Sequence, residues 1–226
     1  MAVPEALAGI PGVRTAAQLG EPDPAGQLAV LPALAQLLPG GGLRRGTTVS
    51  VRGATSLVLA LLAAATRDGS WAAVTGLPEL GLAAAAELGV DLERVALVPN
   101  PGAESVAVVS ALVDGFDLVV LGRSLAGSVR PQLARRLAGR VRNRGSVLLA
   151  AGSWPDADLE LSVSGRRWHG LGEDGHGHLR YREVLATSRG RGAAARPRSA
   201  PLRLPGVGGA LGTAVAEVPV LPARVG

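Results

Sequence analysis

The stretch with the clearest chemical layout runs from residue 47 to residue 66, "TTVSVRGATSLVLALLAAAT". A β-branched strand, Thr47 to Val51, meets a glycine, Gly53, and an apolar helix then begins at Thr55. That order frames the G-x-x-x-x-G-K-[ST] loop, in which backbone amides and a lysine hold nucleotide phosphates. Here Gly53 is followed by Ala54, Thr55, Ser56 and Leu57, with no second glycine and no lysine. What remains is one turn glycine, two hydroxyls and a helix start whose dipole supplies about half a charge. The commonest use of a hydroxyl there is to cap the helix, and capping is the expected role of Thr55 and Ser56.

Arginine supplies the next candidates. Residues 121 to 150 contain seven arginines and no Asp or Glu. In "SVRPQLARRLAGRVRNR", Val129, Leu133, Leu137 and Val141 recur at four-residue steps and make one apolar helix face. Arg130, Arg135, Arg136, Arg140, Arg142 and Arg144 cover much of the rest. Such a face suits DNA phosphate or an acidic partner, with an affinity that falls as salt rises; it also suits plain solvation. A second cluster holds Arg189, Arg191, Arg196, Arg198 and Arg203, among Gly, Ala and Pro residues that keep the backbone open. Such segments can order on a nucleic acid or protein partner. With so few aromatic platforms for single-stranded DNA, any DNA contact is expected to be electrostatic, weak and unspecific. "GEDGHGH" offers Glu173, Asp174, His176 and His178 as metal ligands, but at a spacing that fits a turn better than a metal site.

Composition narrows the chemistry. All 23 basic residues are arginine, so no lysine can bind phosphate, form a Schiff base or act as a base. No cysteine is present, which removes disulfides and thiolate chemistry. Five aromatic residues leave the core to Leu, Val and Ala. The net charge of +5 pulls mildly toward nucleic acid or an acidic partner. The start lacks a basic region ahead of an apolar run, and Ala54 to Thr66 is too short to span a bilayer. A soluble cytoplasmic protein without membrane contact is expected.

The elements that must position these residues alternate. Strands are predicted at Thr47 to Val51, Trp71 to Thr75, Val95 to Val98, Asp117 to Leu121 and Ser146 to Ala150. Helices are predicted at Leu31 to Leu38, Thr55 to Thr66, Leu80 to Leu88, Ala103 to Leu112 and Val129 to Val141. Strands apolar throughout, alternating with helices, imply an α/β fold: a mainly parallel sheet flanked by helices. Leu159 to Trp168 and His178 to Thr187 then read as an antiparallel β-hairpin, with Trp168 and Tyr181 placed to pair across it. The organisation expected is an N-terminal segment over 1–30 that is flexible or briefly helical, one α/β domain over 31–204, and a flexible tail over 205–226.

In order and spacing, roughly residues 34 to 204 resemble the RecA superfamily. "LPGGGLRRGTTVSVRG" is similar to its approach to the phosphate loop, "AELGVDLERVALVPNPGAES" to the segment after its catalytic glutamate, and "GFDLVVLGRSLAG" to its Walker B strand. The resemblance implies a RecA-like core, and it shows where this chain departs. The phosphate loop is shorter by about three residues. Gly122 stands where the metal-linked aspartate would be, and Leu77 where the catalytic glutamate would be, with Glu79 two residues on. Anion cradle, magnesium anchor and general base are therefore degraded together, and neither a cofactor nor catalysis is expected.

The closing "SGRRWHGLGEDGHGHLRYREV" and "RGRGAAARPR" resemble the ImuA-type branch, in particular its degenerate actinobacterial form. That resemblance implies a non-catalytic accessory role in damage-induced mutagenesis. The implied partners are an ImuB-like inactive Y-family polymerase and an error-prone replicative-type DNA polymerase. Two alternatives stay open: a SulA-like inhibitor of cell division, and a divergent nucleotide-binding ATPase.

Overall fold

The protein was analysed as a computed structural model that describes residues 26–172 and 174–214. A small antiparallel pair, β1 (Gln27–Leu28) and β2 (Leu43–Arg44), flanks the short helix α1 (Pro32–Ala35). There follow β3 (Thr48–Arg52), α2 (Thr55–Arg67), β4 (Ala72–Thr75), α3 (Leu82–Glu87), β5 (Val95–Val98), α4 (Ser105–Gly115) and β6 (Leu118–Leu121). Two helices, α5 (Arg123–Ser128) and α6 (Pro131–Arg144), lead to β7 (Val147–Ala150). The chain continues through β8 (Leu159–Leu171), β9 (Gly177–Gly190), β10 (Arg198–Arg203) and β11 (Gly212–Thr213).

One nine-stranded sheet organises these elements in the order β11-β10-β9-β8-β3-β7-β6-β4-β5. From β8 to β5 every neighbouring pair is parallel; from β8 to β11 every pair is antiparallel. The expected α/β architecture, with its C-terminal hairpin, is therefore present. The hairpin is longer than the sequence signal, and β10 and β11 extend it.

Alternation along the strands divides the core between two faces. Leu118 and Val120 of β6, with Val147 and Leu149 of β7, pack toward α2 and α3. Val119, Leu121, Leu148 and Ala150 pack the other way, against α4 and α6. Helix α2 is buried from Leu57 to Ala63, which is why its sequence is apolar on nearly all sides. Helix α6 begins at Pro131, which suits a first turn. It buries Ala134, Leu137 and Val141, while Val129 and Leu133 pack at the margin.

Carboxylates fasten the lower ends of the strands. Asp117 accepts from Arg45 Nη1 at 2.8 Å and from the Trp71 amide at 3.0 Å, joining β2, β4 and β6. Asp158 Oδ2 accepts from the amide and hydroxyl of Thr48, at 2.8 and 2.9 Å.

Residues 1–25 and 215–226, which include most of the predicted N-terminal segment and tail, lie outside the described residues. The stretch from Pro205 to Ala214, read from sequence as part of that tail, is built into the sheet edge. Gly206 and Gly209 shape a turn there, and β11 pairs with β10 through Leu202 and Arg203. The arginine-rich segment before it is likewise ordered, because β10 pairs with β9 from Arg198 to Arg203.

Leu61 is fully buried between α2 and the sheet. Leu61→Ala is expected to lower unfolding free energy by about 3 kcal/mol, measured by urea denaturation.

Candidate functional site

The RecA resemblance assigns an anion cradle, base and metal anchor to the upper ends of β3, β4 and β6. Backbone approaches closely at each of Gly53, Gly76 and Gly122. After β3, Gly53 turns with φ +96°, a conformation that favours glycine. A Cβ on it would lie 2.6 Å from the carbonyl oxygen of Val163 on β8. The turn thus packs closely against the adjoining strand. Ala54 is the N-cap of α2 and makes no side-chain cap bond.

Thr55 is exposed and Ser56 half-buried. Capping, expected of both, is corrected here, because the cap position falls one residue earlier on Ala54. Ser56 Oγ instead accepts from Arg182 Nη2 at 3.1 Å. Sequence reasoning missed this cation. It comes from β9, 126 residues along the chain, and no local spacing announces it. The Arg182 guanidinium also donates from Nε to the Leu204 carbonyl at 2.8 Å and lies 5.4 Å from the Trp168 ring centroid. Protein groups therefore hold the charge nearest the helix start.

The ends of β4 and β6 meet backbone to backbone. Gly122 donates its amide to the Thr75 carbonyl at 2.8 Å. A Cβ on Gly122 would strike the Gly76 carbonyl oxygen, and one on Gly76 would strike the Leu125 side chain. An aspartate has no room at position 122. Leu77 packs against the core and Glu79 is exposed, so no carboxylate points into this corner from β4.

The six arginines of the α6 region are exposed, but they are not equivalent. Asp114 of α4 accepts from Arg140 through both carboxylate oxygens, with the Nε bond at 2.7 Å, and from Arg144 Nε at 3.0 Å. These arginine hydrogen bonds, Arg140 foremost, hold the Asp114 carboxyl down to about 2. Arg135 Nε donates to the Pro131 carbonyl at 3.4 Å. Among the described residues, Arg130, Arg135, Arg136 and Arg142 enter no ion pair.

The second cluster is divided too. Arg189 joins Glu160 at 3.0 Å and Arg191 joins Asp156 at 2.9 Å. Arg198 Nη1 donates to the Leu38 carbonyl at 2.9 Å, while Arg203 approaches Glu183 at 3.5 Å and lies over the Tyr181 ring. Arg196 is exposed. The shallow clefts around Glu160 run along β8 and β9 and include none of Gly53, Thr55 or Ser56.

In the turn between β8 and β9, Asp174 lies 3.3 Å from His176 on the exposed surface, His178 lies in β9, and Glu173 is outside the described residues. Among the described residues no cluster of three or more potential metal ligands forms, and no helix is long and apolar enough to cross a membrane. Across the hairpin, Trp168 faces Arg182 and His169 faces Tyr181. The expected Trp168–Tyr181 pair is therefore replaced by a His169–Tyr181 stack at 4.5 Å. Register shifts on either side of residues 167–169 set that alignment.

These features define an α/β domain in which a strand–turn–helix unit packs its turn glycine against the neighbouring strand. The chain belongs to the MT3502 N-terminal domain family, whose sequence pattern matches residues 36–156. It is similar to the uncharacterized protein Rv3395c of Mycobacterium tuberculosis, with 41% identity over 130 residues. The aligned stretch covers 56% of this chain and 63% of that relative, so the chain spans less than two thirds of the relative's length. The family match takes in the closed turn, Gly122 and α6.

Gly122→Ala is expected to cost at least about 1–3 kcal/mol, because backbone must yield to the new methyl; thermal unfolding checks this. Asp114 has a depressed pKa, so its pairing stabilises fully above the ordinary carboxyl value of about 3.9. That contribution is lost as pH falls toward about 2. Melting temperatures measured across this range should fall less steeply in Asp114→Asn than in the native chain.

Proposed function

We propose that this protein is a non-catalytic RecA-like accessory protein of the translesion-synthesis mutasome, working by contact with an ImuB-like partner. The observation that carries the non-catalytic part is the simultaneous closure of three positions. Val163 backbone lies against Gly53, the Gly76 carbonyl excludes a side chain at position 122, and the Leu125 side chain lies against Gly76. A nucleoside triphosphate loses strong hydration when it binds, and amides, a cation and a metal ligand normally offset that cost. Here the turn lacks the second glycine and the lysine and packs against β8, and the nearby Arg182 already has partners in Ser56 and Leu204.

The RecA-like part is supported by the position of β3, the strand with the phosphate-loop layout, inside the parallel half of the sheet. The mutasome role rests on the sequence resemblance of the hairpin and arginine segment to the ImuA-type branch. A domain that keeps its sheet without a nucleotide can hold protein contacts continuously, whereas a nucleotide-bound interface would switch.

Two measurements test this reading. Titration calorimetry with ATP and magnesium should give no saturable heat; tight, magnesium-dependent binding would return the chain to the nucleotide-binding class. Pull-down of the purified chain with an ImuB-like protein should succeed equally with and without nucleotide. Absence of contact, combined with inhibition of FtsZ polymerisation in a sedimentation assay, would favour the cell-division alternative.

A further inference from the structure

The geometry points to the outer half of the β8–β9 hairpin as a binding site for single-stranded nucleic acid. On one side, pairing with β3 ends at Ser162. On the other, pairing with β10 ends at Glu183, and backbone bonds from Leu204 and to Pro205 end at Arg182. Beyond these points, β8 and β9 pair only with each other as far as Leu171 and Gly177. A ribbon of two strands is marginally stable in water, yet this one exposes Trp168 by 45%, Leu171 by 54% and Leu179 by 53%. Large apolar groups on a narrow projection are better explained by contact than by packing.

The chemistry of the ribbon selects the occupant. The chain has only five aromatic residues, and two of them, Trp168 and Tyr181, lie here with an arginine over each ring, at 5.4 and 4.8 Å. Trp168 faces Arg182 across the ribbon, and Arg180 lies beside Gly170, two residues beyond Trp168 on β8. Among the described residues neither Arg167 nor Arg180 enters an ion pair, so both remain available to phosphate. Among the described residues the nearby carboxylates have partners: Glu183 with His169 and Arg203, and Asp174 with His176. An indole that can stack on any base, beside cations that can meet the backbone, is the arrangement that binds single strands without sequence preference. The three-dimensional register brings these scarce aromatics and arginines together, whereas the sequence shows them as scattered residues.

This inference does not depend on the ImuB contact, and its test uses the full chain alone. Fluorescence anisotropy with a labelled oligothymidylate should show binding at low salt that weakens as salt rises. Trp168→Ala should weaken it by about tenfold, Trp168→Phe by less, and Arg180→Glu by about tenfold; Arg136→Glu on α6 should leave it unchanged. Melting temperatures equal to that of the native chain would show that the variants fold, and Trp168→Phe keeps the ring if Trp168→Ala does not. Failure to bind the oligonucleotide would overturn the assignment and leave the ribbon to a protein partner. So would equal affinity in the Trp168 and Arg180 variants, loss on Arg136→Glu alone, or tighter binding of duplex that ignores Trp168.

Discussion

The close approach of Gly53 to the Val163 carbonyl constrains everything at the upper edge of the sheet. Strand β8 runs parallel to β3 and pairs with it through Ser162 opposite Arg52. The turn leaving β3 must therefore pass directly over the next residue of β8. A longer loop could rise and curl its amides around an anion. This one stays low, starts its helix at Thr55, and spends its contacts on the neighbouring strand. Once that geometry is fixed, the helix start is open to side chains from the β8–β9 hairpin, and Arg182 reaches Ser56.

The same economy recurs one layer further along the sheet. Where β4 and β6 end, a pair of glycines lets two backbones touch, and Leu125 covers the contact. Small residues here shorten the distance between strand ends, which is useful for packing and fatal to a metal site. A carboxylate would need both room and a hydration path, and the Gly76 carbonyl removes the first. An acidic residue placed at position 122 would create a clash before it created a ligand.

The sequence made the parallel half of the sheet legible, because its strands are apolar throughout and its helices are punctuated by Gly and Pro. The absence of a lysine and of a second glycine after β3 needed no structure to be read. What the sequence concealed was long-range. The Arg182–Ser56 bond joins residues 126 apart, and the hairpin register depends on irregularities at Gly165 and Gly170, where an isolated glycine marks a bulge without telling which residues then face each other. The stretch from Arg198 to Arg203 looked like open chain because Pro201 and its small neighbours resemble a linker. It forms a strand because Ala200, Leu202 and Leu204 are fully buried beneath the sheet edge.

Charge shows a similar difference between sequence and space. Arg140 and Arg144 look equivalent to Arg136 along α6, yet Asp114 on the neighbouring helix holds both. The α6 surface therefore offers less unpaired charge than its composition suggests. In the outer hairpin, with fewer arginines in sequence, Arg167 and Arg180 form no ion pair among the described residues, and an exposed indole is added. Coulomb attraction alone would bind any polyanion on either surface. Only the hairpin joins that attraction to a stacking plane, and a stacking plane is what separates an unpaired nucleic-acid strand from an acidic protein or a duplex whose bases are already stacked.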